Sequence, residues 1–165
     1  MNGIELARIG LRTVVGTTMV AHGVKHGRTL DGTAGWFESI GFRQPRIQAR
    51  ASAIVEVGAG AALIAGIATP VAASAVVATM AVAARTVHKE NGFFITSEGY
   101  EYVLNLAMAS VAVSALGPGR WSVDRLIRAD SRSSGMQRAA VTAGLGVAAA
   151  ATQLAVFWRR PPRRL

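Results

Sequence analysis

Five side chains carry most of the chemistry this sequence offers: His22, Lys25, Glu56, His88 and Glu101. Glu56 is the one acid in an apolar run from Ala51 to Ala68, about 9 Å below the start of that run at helical rise. An ionisable group at membrane depth is costly unless paired, so it is a proton relay or polar ligand anchor, or else an ion-pair partner of Lys25, Arg50 or Arg12. His22 and His88 have the chemistry of a general acid and base, of metal ligands or of haem axial ligands, and equally that of solvated helix ends. His22 and His26 stand at i, i+4, as on a two-histidine metal face. No third ligand follows at motif spacing, so no metal site is expected.

These groups need elements to hold them, and the hydropathy pattern supplies apolar runs. Ile4 to Ala21 is the first, with Glu5, Arg8 and Arg12 along one helical face, and Arg12 must reach the headgroups or meet a polar partner inside the bundle. Ala51 to Ala68 is the second, with a Gly58, Ala62, Gly66 ladder for close helix approach. Thr69-Pro70 makes a tight turn, Val71 to Val87 is the third run, and Val103 to Leu116, begun by Glu101 and Tyr102, is the fourth. Gly117-Pro118-Gly119 stops it, and Ser122 caps a short helix over Val123 to Ile127. Ala139 to Trp158 is a fifth run of about spanning length, followed by a basic tail.

The fold class expected is an all-α membrane protein: a four-helix transmembrane bundle plus a fifth C-terminal apolar helix. Three parts follow in order: a membrane domain over 1–126, a polar linker over 127–138 with a flexible stretch from Ser131 to Gly135, and the last helix and tail over 139–165. Gly23 to Ala49 reads as a long polar connection in which Trp36, Phe37 and Ile40 form one face of a short interfacial helix.

Composition supports the membrane reading and narrows the partners. Half of the 165 residues are hydrophobic and the mean hydropathy is +0.34, high for a soluble chain. The net charge of +9 sits at the ends of apolar runs and not along one polar face, which points to membrane lipid and not to nucleic acid. With no cysteine, the chain cannot carry electrons through its own thiols. Arginine far outnumbers lysine, as in proteins of GC-rich bacteria, and the charged N-terminus does not read as a cleaved signal peptide.

If the runs alternate across the membrane, His22, Lys25, Glu56, His88 and Glu101 meet at one end. Trp36, Phe37, Phe93, Phe94, Tyr100 and Tyr102 ring that end, either as an aromatic girdle or as a pocket for a flat, quinone-like ligand, with Asn91-Gly92 a turn that folds over it. Five spans put eleven Lys and Arg on this side against seven on the other, which places the polar end in the cytoplasm; four spans would reverse the count.

Several of these pieces stand in a familiar order. Ala21-His22-Gly23-Val24-Lys25-His26, Gly35-Trp36-Phe37, Glu56-Val57-Gly58-Ala59-Gly60, Thr86 to Phe94 before Glu98-Gly99-Tyr100-Glu101-Tyr102, and Leu116 to Asp124 together resemble the DoxX family of small bacterial membrane proteins, from Ala7 to about Leu126. Met136 to Leu165 falls outside the usual pattern. The resemblance implies a four-helix bundle in the bacterial plasma membrane and an association with redox or sulfur metabolism, since relatives include subunits of thiosulfate:quinone oxidoreductase and partners of oxidative-stress enzymes. His22, Lys25, Glu56, His88, Asn91, Gly92, Glu98, Tyr100 and Glu101 carry over as motif positions without assigned roles.

The function expected is therefore a redox-associated membrane subunit, accessory to an oxidoreductase system and not a stand-alone enzyme. Glu56, His22 and His88 are its candidate catalytic residues. His22, Lys25, Trp36, Glu56, His88, Asn91, Phe93, Tyr100 and Glu101 are its candidate pocket, and quinone is its candidate ligand. Protein partners or a second copy would complete it. The alternatives are a non-catalytic anchor or assembly subunit and, third, a small transporter.

Overall fold

The computed structural model describes residues 1–129 and 133–161. Residues 131 and 132 of the expected flexible linker and the tail from Pro162 to Leu165 lie outside the described residues.

Among the described residues seven α-helices follow one another: α1 (Gly3–Arg28), α2 (Leu30–Ser39), α3 (Pro45–Ala65), α4 (Thr69–Ala83), α5 (Glu101–Leu116), α6 (Val123–Leu126) and α7 (Gly135–Phe157). Among the described residues there is no strand, only one isolated bridge between Phe42 and Trp158. The all-α membrane class expected from hydropathy is the class observed. Among the described residues three helical stretches are long and apolar enough to cross a membrane, Pro45–Ala65, Thr69–Asn91 (α4 with the helical turns that follow it) and Gly135–Phe157, and Glu101–Leu116 is a shorter apolar helix.

Local chemistry sets many of the boundaries. The Asn2 side chain accepts from the Glu5 N–H at 2.9 Å and starts α1. Pro45 and Pro70 sit in the first turns of α3 and α4, where a missing N–H costs nothing. Gly66 ends α3 in the left-handed region at φ 68°. Ser122 caps α6 as expected, accepting from the Arg125 N–H, and Ser134 and Gln137 form a capping box at the start of α7.

One sequence expectation fails at the first loop. The polar stretch from Gly23 to Ala49 is mostly helix, because α1 runs on through Lys25, His26 and Arg28 and α3 begins at Pro45. Basic residues at a helix C-terminus favour the dipole and do not end the helix. Glu56 therefore lies about 16 Å along α3, near its middle and not near its start. The short helix expected in this stretch is present as α2, in which Trp36 is 43% exposed while Phe37 is 7% exposed and packs with Ala34, Phe42, Ala49, Val82 and Ala150.

A hydrocarbon surround offers no hydrophobic drive for one helix to leave lipid for another, so cohesion rests on close packing and buried polar contacts. The main core joins Val15 and Met19 of α1, Ala59 and Leu63 of α3, Ala73, Val76 and Met80 of α4, and Val103 and Val113 of α5. The α1–α3 crossing pivots on Gly16 and Gly60, where an added Cβ would stand 2.6 and 2.5 Å from the opposing carbonyl oxygens. The expected ladder through Gly58 is not used. Gly58, two residues and some 200° away from Gly60 on the helix, faces open space. Thr142 of α7 ties three helices together, donating toward Ser114 Oγ at 2.7 Å and the Pro70 carbonyl at 3.2 Å.

One end of the bundle is closed by arginines. Arg12, 4% exposed, donates to the Leu63 carbonyl at 2.9 Å, the Ile64 carbonyl at 2.8 Å and the Trp121 carbonyl at 3.1 Å, and also to that of Pro118. It thus satisfies the last carbonyls of α3, which have no intrahelical donor. Arg138 does the same for Ser114 and Ala115 at the end of α5. Asp124 accepts from the Ala68 and Thr69 N–H groups at 2.8 and 3.2 Å and holds the α3–α4 turn. At the opposite end, α7 reaches the corner between α2 and α3: the Arg43 N–H donates to the Phe157 carbonyl at 2.7 Å and the Trp158 Nε1–H to the Ile40 carbonyl at 2.7 Å.

Candidate functional site

The open end of the bundle encloses a cavity of about 570 Å³. α1 contributes Met19, His22 and His26, positions three, four and seven residues apart that share one helical face. α3 contributes Gln48, Ser52, Val55 and Glu56, while α5 adds Tyr102, Val103 and Leu106. Trp36 and Phe37 of α2 and Phe157 of α7 close the sides.

The wall from α4 is shaped by a change of helical pitch. Ala84–His88 forms a π turn in which the Lys89 N–H donates to the Ala84 carbonyl five residues back. Such turns insert one extra residue and re-aim the side chains that follow, and they recur at functional sites. Thr86 and His88 both line the cavity from this turn.

The cavity is mostly apolar, with one polar focus. His26 Nδ1 is 3.0 Å from Ser52 Oγ and 3.3 Å from Glu56 Oε1, and the Ser52 hydroxyl donates to that same Oε1. With Nδ1 protonated, His26 donates to Ser52 and Ser52 to Glu56, a three-residue hydrogen-bond chain from the cavity wall to a buried acid. Glu56 is 3% exposed. Its other oxygen, Oε2, is the one buried side-chain polar atom among the described residues without a hydrogen-bond partner. No lysine or arginine lines the cavity among the described residues. The ion-pair expectation is thereby corrected: the basic partner of Glu56 is His26, and Arg12 is engaged at the other end of α1.

The structure brings together some of the residues singled out in the sequence and separates others. His22, Trp36, Glu56 and His88 all line the cavity. Lys25 and Glu101 do not. Lys25 is exposed on α1, and the Glu101 carboxylate accepts from the Ile95 N–H at 3.0 Å. Asn91, Phe93 and Tyr100 also lie off the main cavity, in a loop that folds onto itself and not over the site. There the Tyr100 N–H donates to the Gly92 carbonyl at 3.0 Å, and Phe93 stands edge-on to Tyr100 at 5.5 Å. That loop reaches the site through His88, whose Nδ1 is 2.6 Å from the Glu98 carbonyl oxygen, and through Tyr102, which stacks on His22 at 6.5 Å. Ser52 and Gln153 were not singled out in the sequence, and His26, noted beside His22, was left out of the candidate pocket. Two of them carried a signal: His26 follows His22 by one helical turn, and Ser52 precedes Glu56 by one.

Fold and site together define a multi-pass membrane protein built of helices, with a single-ended cavity holding a histidine–serine–glutamate chain. A family model described as DoxX matches residues 7–89, just over half of the chain, and the protein belongs to the DoxX family. No curated protein and no solved structure matches the chain. The matched residues run from within α1 through the π turn after α4 and include His22, His26, Ser52, Glu56 and His88.

Proposed function

We propose that the protein is a redox-associated subunit of the bacterial plasma membrane that binds a quinone-class ligand in this cavity and serves a partner oxidoreductase. The observation that carries the reading is the cavity itself. Its volume of about 570 Å³ lies within the range of small-molecule sites, its walls are mostly apolar and aromatic, and three of its polar side chains, His26, Ser52 and Glu56, meet at one point. Trp36, Phe37 and Tyr102 offer faces to a flat ring, and the His26–Ser52–Glu56 chain offers a donor or acceptor to a ring oxygen. Reducing a quinone to a quinol takes two electrons and two protons. The partner supplies the electrons, since this chain has no cysteine with which to carry them, and Glu56 with the histidines handles the protons. Lipid surrounds the helices, and a partner protein or a second copy completes the assembly.

The test is a titration of the purified protein in nanodiscs with a short-chain quinone, followed by quenching of Trp36, with Trp36→Phe as the blank. Saturable quenching that Glu56→Gln weakens is the expected result. Quenching that rises linearly with the amount of quinone in the lipid, the same in both proteins, would overturn the reading in favour of a non-catalytic anchor.

A further inference from the structure

We propose that His22, His26 and Glu56 form a site for one divalent first-row transition-metal ion at the polar end of the cavity. Each of the three offers one ligand atom, and these atoms lie within 4.8 Å of one another although they come from two helices. Two imidazoles and a carboxylate make a donor set that suits Zn²⁺, Fe²⁺ or Co²⁺ and not Ca²⁺ or Mg²⁺, which prefer oxygen alone.

Four further observations point the same way. Glu56 Oε2 is buried with no protein partner, which is costly for a carboxylate unless a cation or a proton answers it. The His22 ring makes no hydrogen bond to the protein among the described residues; it is held by stacking on Tyr102 and by edge contact with His26 at 6.4 Å. The 3.3 Å between His26 Nδ1 and Glu56 Oε1 matches the edge of a tetrahedron with metal–ligand bonds of about 2.0 Å. Closing the rest, from at most 4.8 Å, requires a movement of up to about 1.5 Å, which the unbonded His22 side chain can supply by rotation. The scaffold is rigid where this matters: at Gly23, between the two histidines, an added Cβ would stand 2.8 Å from the Ala53 carbonyl oxygen, so α1 and α3 touch backbone to backbone beside the cluster.

Three protein ligands leave a coordination position open, and here it would face the cavity, the arrangement of a site that exchanges water for a ligand and not of a closed structural site. Ser52, whose hydroxyl donates to Glu56 Oε1, is the outer-shell group that orients the carboxylate; the Ser52 contact with His26 Nδ1 gives way when that nitrogen takes the metal. Metal binding of this kind does not depend on the quinone reading, because the ligands are protein atoms alone.

The experiment is titration of the full chain, purified without a histidine tag and stripped with chelator, with Co²⁺ alone. The readouts are visible d–d absorption and metal content. One equivalent per chain, displaced by Zn²⁺, is expected. His22→Ala should weaken binding by more than about tenfold while leaving the thermal midpoint of the metal-free protein unchanged, since its ring has no hydrogen bond to lose; Ser52→Ala should weaken it by about tenfold. His88→Ala, in the same cavity but outside the cluster, should bind normally. No stoichiometric binding, or binding that His22→Ala leaves intact, would overturn the proposal. Quinone titration of the metal-free and metal-loaded proteins keeps the two readings apart: metal uptake without quinone binding sinks the ligand, and the converse sinks the metal site.

Discussion

Glu56 of α3 and His26 of α1 meet at 3.3 Å in the cavity at the open end of the bundle, with Ser52 hydrogen-bonded to both. A buried acid with one oxygen partnered and one bare is a poor device for stability, because the desolvation of such a group is seldom recovered by its contacts. Glu56→Leu is therefore expected to fold at least as stably as the parent, within about 1 kcal/mol, while losing its response to quinone and to Co²⁺. Thermal unfolding in nanodiscs, run beside the two titrations, checks this. A large loss of stability would make the acid a structural group.

Arg12 stands in the opposite situation. It donates to carbonyls of Leu63, Ile64, Pro118 and Trp121, and its removal strands several acceptors at once. Arg12→Leu should cost at least about 2 kcal/mol. Arg12→Lys should not rescue it, since a single ammonium cannot span the forked set that a guanidinium reaches. Detergent-resistance half-life at fixed temperature would separate the three proteins, and parental behaviour in the lysine variant would refute the account.

The α1–α3 crossing predicts a contrast between two glycines of one helix. Gly60→Val drives a side chain into the backbone of α1 and should destabilise by about 1–3 kcal/mol or more. Gly58→Ala meets nothing within 4 Å and gains helix propensity, so it should be neutral or stabilising. Both are read from the midpoint of unfolding.

Orientation can be tested because the chain has no cysteine, so that one introduced thiol is the only one. Helices α1, α4 and α7 end toward the cavity and α3 and α5 begin there, and among the described residues that end carries nine Lys and Arg against six at the other. Ser39→Cys, exposed at that end, should react with an impermeant maleimide only after cells are opened. Leu126→Cys, 81% exposed at the other end, should react in intact cells. The reverse pattern would turn the cavity outward.

Hydropathy and capping were legible in the residues because both are local. The apolar runs, the fifth helix, the stop at Gly117-Pro118 and the cap at Ser122 need only neighbours a few positions away. The partner of Glu56 was not legible. Lys25, Arg50 and Arg12 were as good on charge alone, and the choice of His26 required three things that span the chain. Helix α1 had to continue past a polar stretch that reads as loop, its 100° turn per residue had to aim residues 22 and 26 inward and residue 25 outward, and the glycine contacts at 16, 23 and 60 had to set its register against α3. The Asn91 to Tyr100 loop shows the same limit from the other side. Its aromatic and acidic residues looked like a wall of the site, and the hydrogen bonds that fold them onto one another keep them off it, so that the cavity is lined by His88 before the loop and Tyr102 after it. Residue type and local spacing decided what chemistry was available; the rotation and register of helices decided which groups could share it.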